Sequence, residues 1–238
     1  VGGKWGSKFN FKNAEKIINT AIDNGVNFID TADVYSEKLS EKTVGKVIRS
    51  RSEDVYIATK CGRQLNPHNI KTYTTYALRK FVEDSLSNLG VDRIDLIQLH
   101  CPPPEVYNRP EIFGLFDDLT REGKIRNYGV SVETVKEALK AIEFEGVSTV
   151  QIIFNMFRQR PSELFFKEAA KKNVGILARV PLASGLLTGK FSKTSIFGND
   201  DHRNFNRDGA AFDKGETFSG IDYNLGLQAV EELKHIFN

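Results

Sequence analysis

The chain has 238 residues, a formal net charge of +2, and only two cysteines. Hydrophobic residues make up 40% and charged residues 27%, as is ordinary for a globular protein. The near-neutral charge argues against nucleic-acid binding, and no apolar run approaches the roughly 18 residues that a membrane-spanning helix needs. We therefore expect a cytoplasmic protein without a signal peptide, a disulfide framework or a metal site.

A recurring unit organises the sequence: an amphipathic helical segment, a glycine and a short apolar run. Apolar residues at helical spacing over 11–22 precede Gly25, and the clearest stripe, over 77–89, precedes Gly90. Both glycines stand where a helix is expected to end. The later helical segments lie at 112–119, 135–142 and 164–169, and a last one is LGLQAVEELKHIF.

Six apolar runs are predicted to be strands: NFIDT, VYIAT, DLIQL, IRNYGV, TVQIIF and GILARV. Runs that are apolar on both faces, alternating with helices, are typical of a parallel sheet covered by helices. The sequence predicts a single α/β domain over residues 1–238, a (β/α)8 barrel of the TIM type. Such a barrel has eight strands, so we expect its first and eighth to be missing and the natural protein to be longer at both ends.

The segment from Ser192 to Tyr223 lacks apolar periodicity and is rich in Asn, Asp, Gly and Arg. Because it exceeds the usual length of a connection, we expect a functional flap or a disordered region. Arg203 and Arg207 in this segment are candidates for phosphate contact, with a solvated surface position as the alternative.

Polar side chains close the first three apolar runs. Asp30 ends the first run and Tyr35 follows in the next loop, Lys60 ends the second, and His100 ends the third. The carboxyl ends of barrel strands meet at one face, so these side chains are expected to converge there. Each alone has a structural alternative, such as a helix cap, a packed ring, a solvated ammonium or a core histidine.

This combination suits the reduction of a carbonyl group by hydride transfer, which places negative charge on the carbonyl oxygen. Tyr35 would donate the proton, and the Lys60 ammonium would lower the pKa of a phenol that is ordinarily about 10. Asp30 would keep that ammonium charged and oriented. His100 would hydrogen-bond the substrate oxygen and help to place the proton.

Four stretches resemble the aldo-keto reductase superfamily, in the branch of bacterial enzymes and potassium-channel β-subunits: GVNFIDTADVYS, ATKCG, LIQLH and VPLASGLLTGK. The resemblance covers essentially the whole chain. It implies an enzyme that reduces aldehydes or ketones with NADPH, or with NADH, and uses Tyr35 as the general acid. The alternative left open is a cofactor-binding regulatory subunit with slow turnover.

The resemblance also implies cofactor contacts. Ser131 and Gln151 correspond to residues that hold the nicotinamide carboxamide, although Val132 stands where an asparagine is usual. Arg179 replaces an aromatic residue that stacks on the nicotinamide, so we expect a weaker preference for the oxidised cofactor. The loop expected to close over the pyrophosphate supplies Pro181, Leu182, Ala183, Ser184 and Lys190.

The expected partner is a small carbonyl substrate, with neither nucleic acid nor membrane, and the expected assembly is a monomer or a small homo-oligomer. Trp5, Tyr107 and Phe157 are candidate walls of the substrate pocket, with core or surface packing as the alternative. Cys61 and Cys101 directly follow two of the candidate catalytic residues on adjacent strands. They are either ordinary buried thiols or partners in a disulfide.

Overall fold

A computed structural model of the chain describes residues 8–237. Six parallel strands form one sheet in it, ordered as they occur along the chain. Each of the six predicted strands is confirmed, and its ends lie within two residues of the predicted ones. The strands are β1 (Phe28–Asp30), β2 (Tyr56–Cys61), β3 (Ile94–His100), β4 (Ile125–Ser131), β5 (Val147–Ile153) and β6 (Gly175–Arg179).

Helices connect the strands, as parallel neighbours require. The helix over Leu39–Arg49 was not predicted from the sequence, although its Val44 and Val47 are buried at helical spacing. Where one helix was predicted around 164–169, the structure has two short helices, one on each side of Leu164, which is 49% exposed. The α-helices of the described residues are α1 (Phe11–Asp23), α2 (Leu39–Arg49), α3 (Thr75–Leu89), α4 (Pro110–Arg121), α5 (Val135–Ala141), α6 (Arg160–Glu163), α7 (Phe165–Lys171), α8 (His202–Phe205) and α9 (Tyr223–Phe237).

The six strands curl into part of a barrel, which agrees with the predicted (β/α)8 fold short of two strands. Within residues 8–237 the outer strands, β1 and β6, each pair with one neighbour only. Phe28 of β1 is 38% exposed, whereas Ile97 of the central strand β3 is fully buried. The central strands therefore carry the core of the described part of the chain.

Two glycines after helices show different physical requirements. Gly90 ends α3 with φ 64°, a left-handed conformation that glycine adopts without strain, as predicted. Gly146 follows α5 without a positive φ, and a Cβ there would collide with the hydroxyl of Tyr128, which donates to Asp117 at 2.8 Å. Close packing, rather than backbone conformation, favours glycine at 146.

The apolar side chains form two separate clusters. The main one fills the space between the sheet and the helices α1–α5 and α7, with Ile97, Phe113 and Phe116 among its buried members. The second, which we call the loop cluster, joins the region after β6 to the segment 192–223 and to α9. Its members are Ala183, Leu186, Phe218 and Val230, with Phe157, Leu187, Phe191, Phe197, Ile221, Tyr223 and Leu227 packed against them.

The close contact between α2 and α3 gives a stability prediction. A Cβ at Gly45 would collide with the backbone of Leu89. Gly45→Ala is therefore expected to lower the free energy of unfolding by about 1–3 kcal/mol or more, although alanine is the better helix former. Urea unfolding measures the change. Gly114→Ala is the matched control, because a Cβ on this glycine of α4 meets nothing within 4 Å; equal effects of the two substitutions would contradict the prediction.

Candidate active site

The site begins with an ion pair between two strand ends. Lys60 of β2 donates to the carboxylate of Asp30 at the end of β1 (2.6 Å) and to the carbonyl oxygen of Thr31 (2.8 Å). The Lys60 side chain is only 1% exposed. Asp30 also accepts from the side-chain amides of Gln98 (3.3 Å) and Gln151 (3.2 Å). A buried ammonium thus has fixed acceptors, as a charge out of water requires.

Tyr35 and His100 lie beside this pair. The Lys60 Nζ is 5.1 Å from the centroid of the Tyr35 ring. The rings of Tyr35 and His100 meet edge to face, with centroids 6.0 Å apart and an interplanar angle of 88°. The structure therefore brings together all four residues for which the sequence predicts catalytic roles.

The pKa of Tyr35 is raised, whereas the sequence led us to expect it to be lowered by Lys60. The residue is 39% exposed, yet burial of its hydroxyl end raises the pKa above the usual value for a phenol. The Lys60 ammonium acts in the opposite direction, as expected, but burial and the charge of Asp30 outweigh it. At neutral pH the phenol is consequently protonated and keeps its proton for donation.

Burial and the positive charge of Lys60 hold the pKa of His100 well below its usual value. The imidazole is therefore neutral at physiological pH. Its Nδ1 is buried without a hydrogen-bond partner among residues 8–237. A neutral imidazole can donate a hydrogen bond to a substrate oxygen without carrying a charge of its own.

Gln98, which the sequence did not single out as a site residue, is fully buried two residues before His100. Its amide nitrogen holds the second oxygen of Asp30, while its own carbonyl oxygen has no partner within the described part of the chain. The signal was a single glutamine in the otherwise apolar run LIQL. A buried polar residue in such a run indicates a polar partner across the barrel.

The predicted carboxamide contacts lie on the next strands. The Ser131 hydroxyl, at the end of β4, donates to the Gln151 side-chain oxygen at 3.3 Å, and both side chains are buried. Arg179, which ends β6, donates to Ser131 Oγ (3.4 Å) and to the carbonyl oxygen of Val132 (3.3 Å). Its Nε is buried without a partner among residues 8–237. These groups include the hydrogen-bond donors and acceptors that a carboxamide needs.

The loop predicted to close over the pyrophosphate follows β6. Pro181, Leu182 and Lys190 are exposed, and no described residue pairs with the Lys190 ammonium, so an anion can reach it. Ala183 is buried in the loop cluster. Ser184 is turned inward: its hydroxyl donates to the carbonyl oxygen of Glu216 and accepts from the backbone N–H of Phe218 at 3.3 Å. The structure thus gives Ser184 a role in loop packing.

The segment 192–223 has more structure than its sequence pattern suggests, with α8 and two 3-10 helices, Lys214–Glu216 and Phe218–Gly220. Arg203 pairs with Asp201 at 2.6 Å and lies over the rings of Phe191 and Phe197. Arg207 also lies over aromatic rings of the loop cluster. Both guanidinium groups therefore pack against rings within the protein. Arg203 is half-buried, whereas Arg207 is exposed to solvent, in agreement with the solvated alternative.

The remaining candidates take structural positions. Cys61 and Cys101 are free and buried, in agreement with the expectation of ordinary buried thiols. Tyr107 is 1% exposed in the main core, which corrects its prediction as a pocket wall, and Phe157 packs against the loop cluster. Trp5 lies outside the described residues.

Asp33, two residues before Tyr35, is 2% exposed, and neither of its carboxylate oxygens has a hydrogen-bond partner among residues 8–237. Burial raises the pKa of Asp33 to about 7, although nearby Gln64 and the Val34 backbone oppose this. The folded state therefore binds this proton more tightly than the unfolded state, in which the pKa is about 4. The free energy of unfolding is therefore expected to fall as the pH rises from about 4, the unfolded-state pKa, through about 7, the folded-state pKa.

For wild type, this group alone should lower the free energy of unfolding on the order of 2 kcal/mol between pH 5 and pH 8. Asp33→Asn removes the titration, so the variant should gain stability relative to wild type at pH 8 and much less at pH 5. Urea unfolding at both pH values measures this difference. The exposed Asp92 provides the control substitution, Asp92→Asn. A parallel pH dependence of wild type and Asp33→Asn would rule out the effect.

Within residues 8–237 there is no group of three or more His, Cys, Asp or Glu side chains suited to a metal ion. None of the helices described in this range is both long and apolar enough to cross a membrane.

Comparison with known proteins agrees with this geometry. YqkF, an oxidoreductase of Bacillus subtilis, is 33% identical over 180 residues, which is 74% of this chain and 58% of the relative. The aldo-keto reductase YhdN of the same organism is 32% identical over 207 residues, or 86% of this chain and 62% of the relative. The chain thus spans about three fifths of the length of these curated relatives.

Among solved structures, the glycerol dehydrogenase AKR11B4 from Gluconobacter oxydans matches with a TM-score of 0.75 and 28% identity, over 99% of this chain and 71% of that one. The sequence pattern of the Aldo/keto reductase family matches residues 1–238. With the strand-end site on the barrel and this match in agreement, the chain belongs to the aldo/keto reductase family.

Proposed function

We propose that the protein reduces aldehydes or ketones to alcohols with a nicotinamide cofactor. The observation that carries this proposal is the ion pair of the buried Lys60 with Asp30, with the Tyr35 and His100 rings beside it. Together these groups offer a proton donor, a fixed positive charge and a neutral hydrogen-bond donor at one strand-end face. Carbonyl reduction needs these functions as negative charge develops on oxygen.

In this proposal Tyr35 is the general acid that protonates the carbonyl oxygen. Lys60 stabilises the phenolate that remains, and its charge opposes, without cancelling, the effect of burial on the phenol pKa. Asp30, held by Gln98 and Gln151, keeps the Lys60 ammonium in place. His100, uncharged, orients the carbonyl oxygen toward the phenol.

The cofactor is proposed to be NADPH. A bound reduced nicotinamide supplies the hydride. Ser131, Gln151 and Arg179 would hold its carboxamide, and Lys190 would meet the pyrophosphate. One relative, from Schizosaccharomyces pombe, is named an aldo-keto reductase of NADP(+). Two solved structures of the same fold, both of aldo-keto reductase from Klebsiella pneumoniae, contain NADP or NADPH. NADH is the alternative cofactor, and turnover measured with each of the two distinguishes them.

The test is a panel of simple aldehydes, ketones and polyol-derived carbonyls, offered with NADPH and with NADH to the purified chain and to a form extended to its relatives' length. Steady oxidation of the reduced cofactor, followed by its absorbance, is the expected result. Binding of NADPH without steady turnover would instead favour a regulatory subunit; a relative named as a probable β-subunit of a voltage-gated potassium channel, from Arabidopsis thaliana, is 27% identical. Binding of neither cofactor would overturn the proposal.

A further inference from the structure

Glu216 meets the proposed nicotinamide site although it lies far along the chain. It ends the 3-10 helix Lys214–Glu216, within the segment that showed no apolar periodicity. Its carboxylate pairs with the Arg179 guanidinium at 3.0 Å, and the two side chains are only 21% and 15% exposed. A loop residue therefore places a negative charge at the carboxyl end of β6.

The other contacts of Arg179 show which part of the site lies near the Glu216 carboxylate. The same guanidinium nitrogen donates to Ser131 Oγ at 3.4 Å and to the thiol sulfur of Cys101 at 3.3 Å. The other terminal nitrogen donates to the backbone of Val132. Ser131 belongs to the pair proposed to hold the carboxamide, so the Arg179–Glu216 pair lies beside the position of the nicotinamide ring.

The backbone of Glu216 is held as well. The Ser184 hydroxyl donates to its carbonyl oxygen, and Phe218, two residues on, is buried in the loop cluster. Burial raises the pKa of Glu216 while Arg179 lowers it, as expected for a carboxylate removed from water beside one guanidinium. The other charges that act on Glu216 are Asp213, Arg158 and Arg63, and the first two of these pair with each other at 3.5 Å.

The charge of the ring changes during the reaction. An oxidised nicotinamide carries a positive charge, and a reduced one is neutral. In a site with little water, an unbalanced guanidinium disfavours the oxidised form, and a carboxylate on that guanidinium removes most of the penalty. The Glu216 carboxylate is thus placed to neutralise Arg179 when the oxidised, positively charged nicotinamide is bound.

We propose that Glu216 is a positioning residue that neutralises Arg179 and thereby sets the affinity of the site for oxidised relative to reduced cofactor. The inference rests on the proposed function, because it needs the nicotinamide at Ser131 and Gln151. It also revises the expectation drawn from Arg179 alone: the site discriminates against the oxidised cofactor less than a lone arginine would.

The experiment measures dissociation constants for NADP⁺ and for NADPH by fluorescence titration at one ionic strength. Glu216→Gln keeps the shape of the side chain and removes its charge, and should raise the ratio of the NADP⁺ to the NADPH dissociation constant about tenfold. The double variant Glu216→Gln, Arg179→Gln removes both charges and should return the ratio toward wild type. Asp200→Asn, an exposed carboxylate of the same segment, should leave the ratio unchanged.

Loss of packing alone would weaken the binding of NADP⁺ and NADPH equally. An unchanged ratio of the two dissociation constants in Glu216→Gln would therefore overturn the inference. A double variant with the same ratio as Glu216→Gln would also overturn it. Failure of wild type to bind either form would overturn the proposed function itself, which is a different result from binding with an unaltered ratio.

Discussion

Tyr35→Phe is expected to lower kcat for carbonyl reduction by about 10²- to 10⁴-fold, the usual worth of a general acid. The substitution removes only the hydroxyl, so the ring next to His100 and Lys60 keeps its packing. Affinity for NADPH should stay within a factor of about two, because no proposed cofactor contact involves Tyr35. Steady-state kinetics and cofactor titration on one preparation measure both quantities.

Tyr76→Phe is the matched control, since this tyrosine of α3 is 79% exposed and removed from the strand ends. It should behave as wild type in both measurements. Retention of full turnover by Tyr35→Phe would exclude the phenol as the proton donor. Loss of cofactor affinity together with turnover would mean that Tyr35 acts in binding.

The Lys60–Asp30 pair gives the largest expected effect on stability. Asp30→Asn leaves an ammonium that is 1% exposed with the Thr31 carbonyl oxygen as its main acceptor. Removal of one partner of a buried pair costs roughly 3 kcal/mol, and turnover should be lost as well. Lys60→Met should cost less stability, because the stranded Asp30 side chain is 32% exposed and keeps the Gln98 and Gln151 amides.

Urea unfolding of the two variants measures this asymmetry, and kinetics should show that both are inactive. Glu122→Gln, which removes the partner of Arg79 in an exposed pair, is the control and should change stability little. A larger loss of stability in Lys60→Met than in Asp30→Asn would mean that the buried ammonium depends less on its partner than the carboxylate does, contrary to the prediction.

Much of the fold could be predicted because it depends on local patterns. Strand β3 is a short and mostly apolar run, and α3 has one apolar stripe that ends at Gly90, so each pattern favours the element that forms. The helix α2 was missed since charged residues interrupt its short stripe, and one of them, Glu41, is buried and accepts from Thr59 and Asn88. Such pairing depends on contacts distant in sequence.

The same division holds for the site. Asp30, Lys60 and His100 could be placed because the ends of neighbouring parallel strands must meet at one face. The pairing of Arg179 with Glu216 could not, because no periodicity in 192–223 indicates which residue returns to the strand ends. Whether the pKa of Tyr35 is raised or lowered could also not be predicted from the sequence. It depends on whether burial of the hydroxyl affects the pKa more than the nearby ammonium does.

The division of the apolar side chains into two clusters has a consequence for motion. The loop cluster has few buried members, and it joins the turn after β6 to residues around Phe218 and Val230. A unit with so small a core can open while the strands keep their hydrogen bonds. Amides of this unit should therefore exchange with solvent faster than those of β3, and each opening would separate Glu216 from Arg179, the residue that contacts Ser131. Entry and departure of a bound molecule can then proceed by partial unfolding of one region, with the rest of the protein intact.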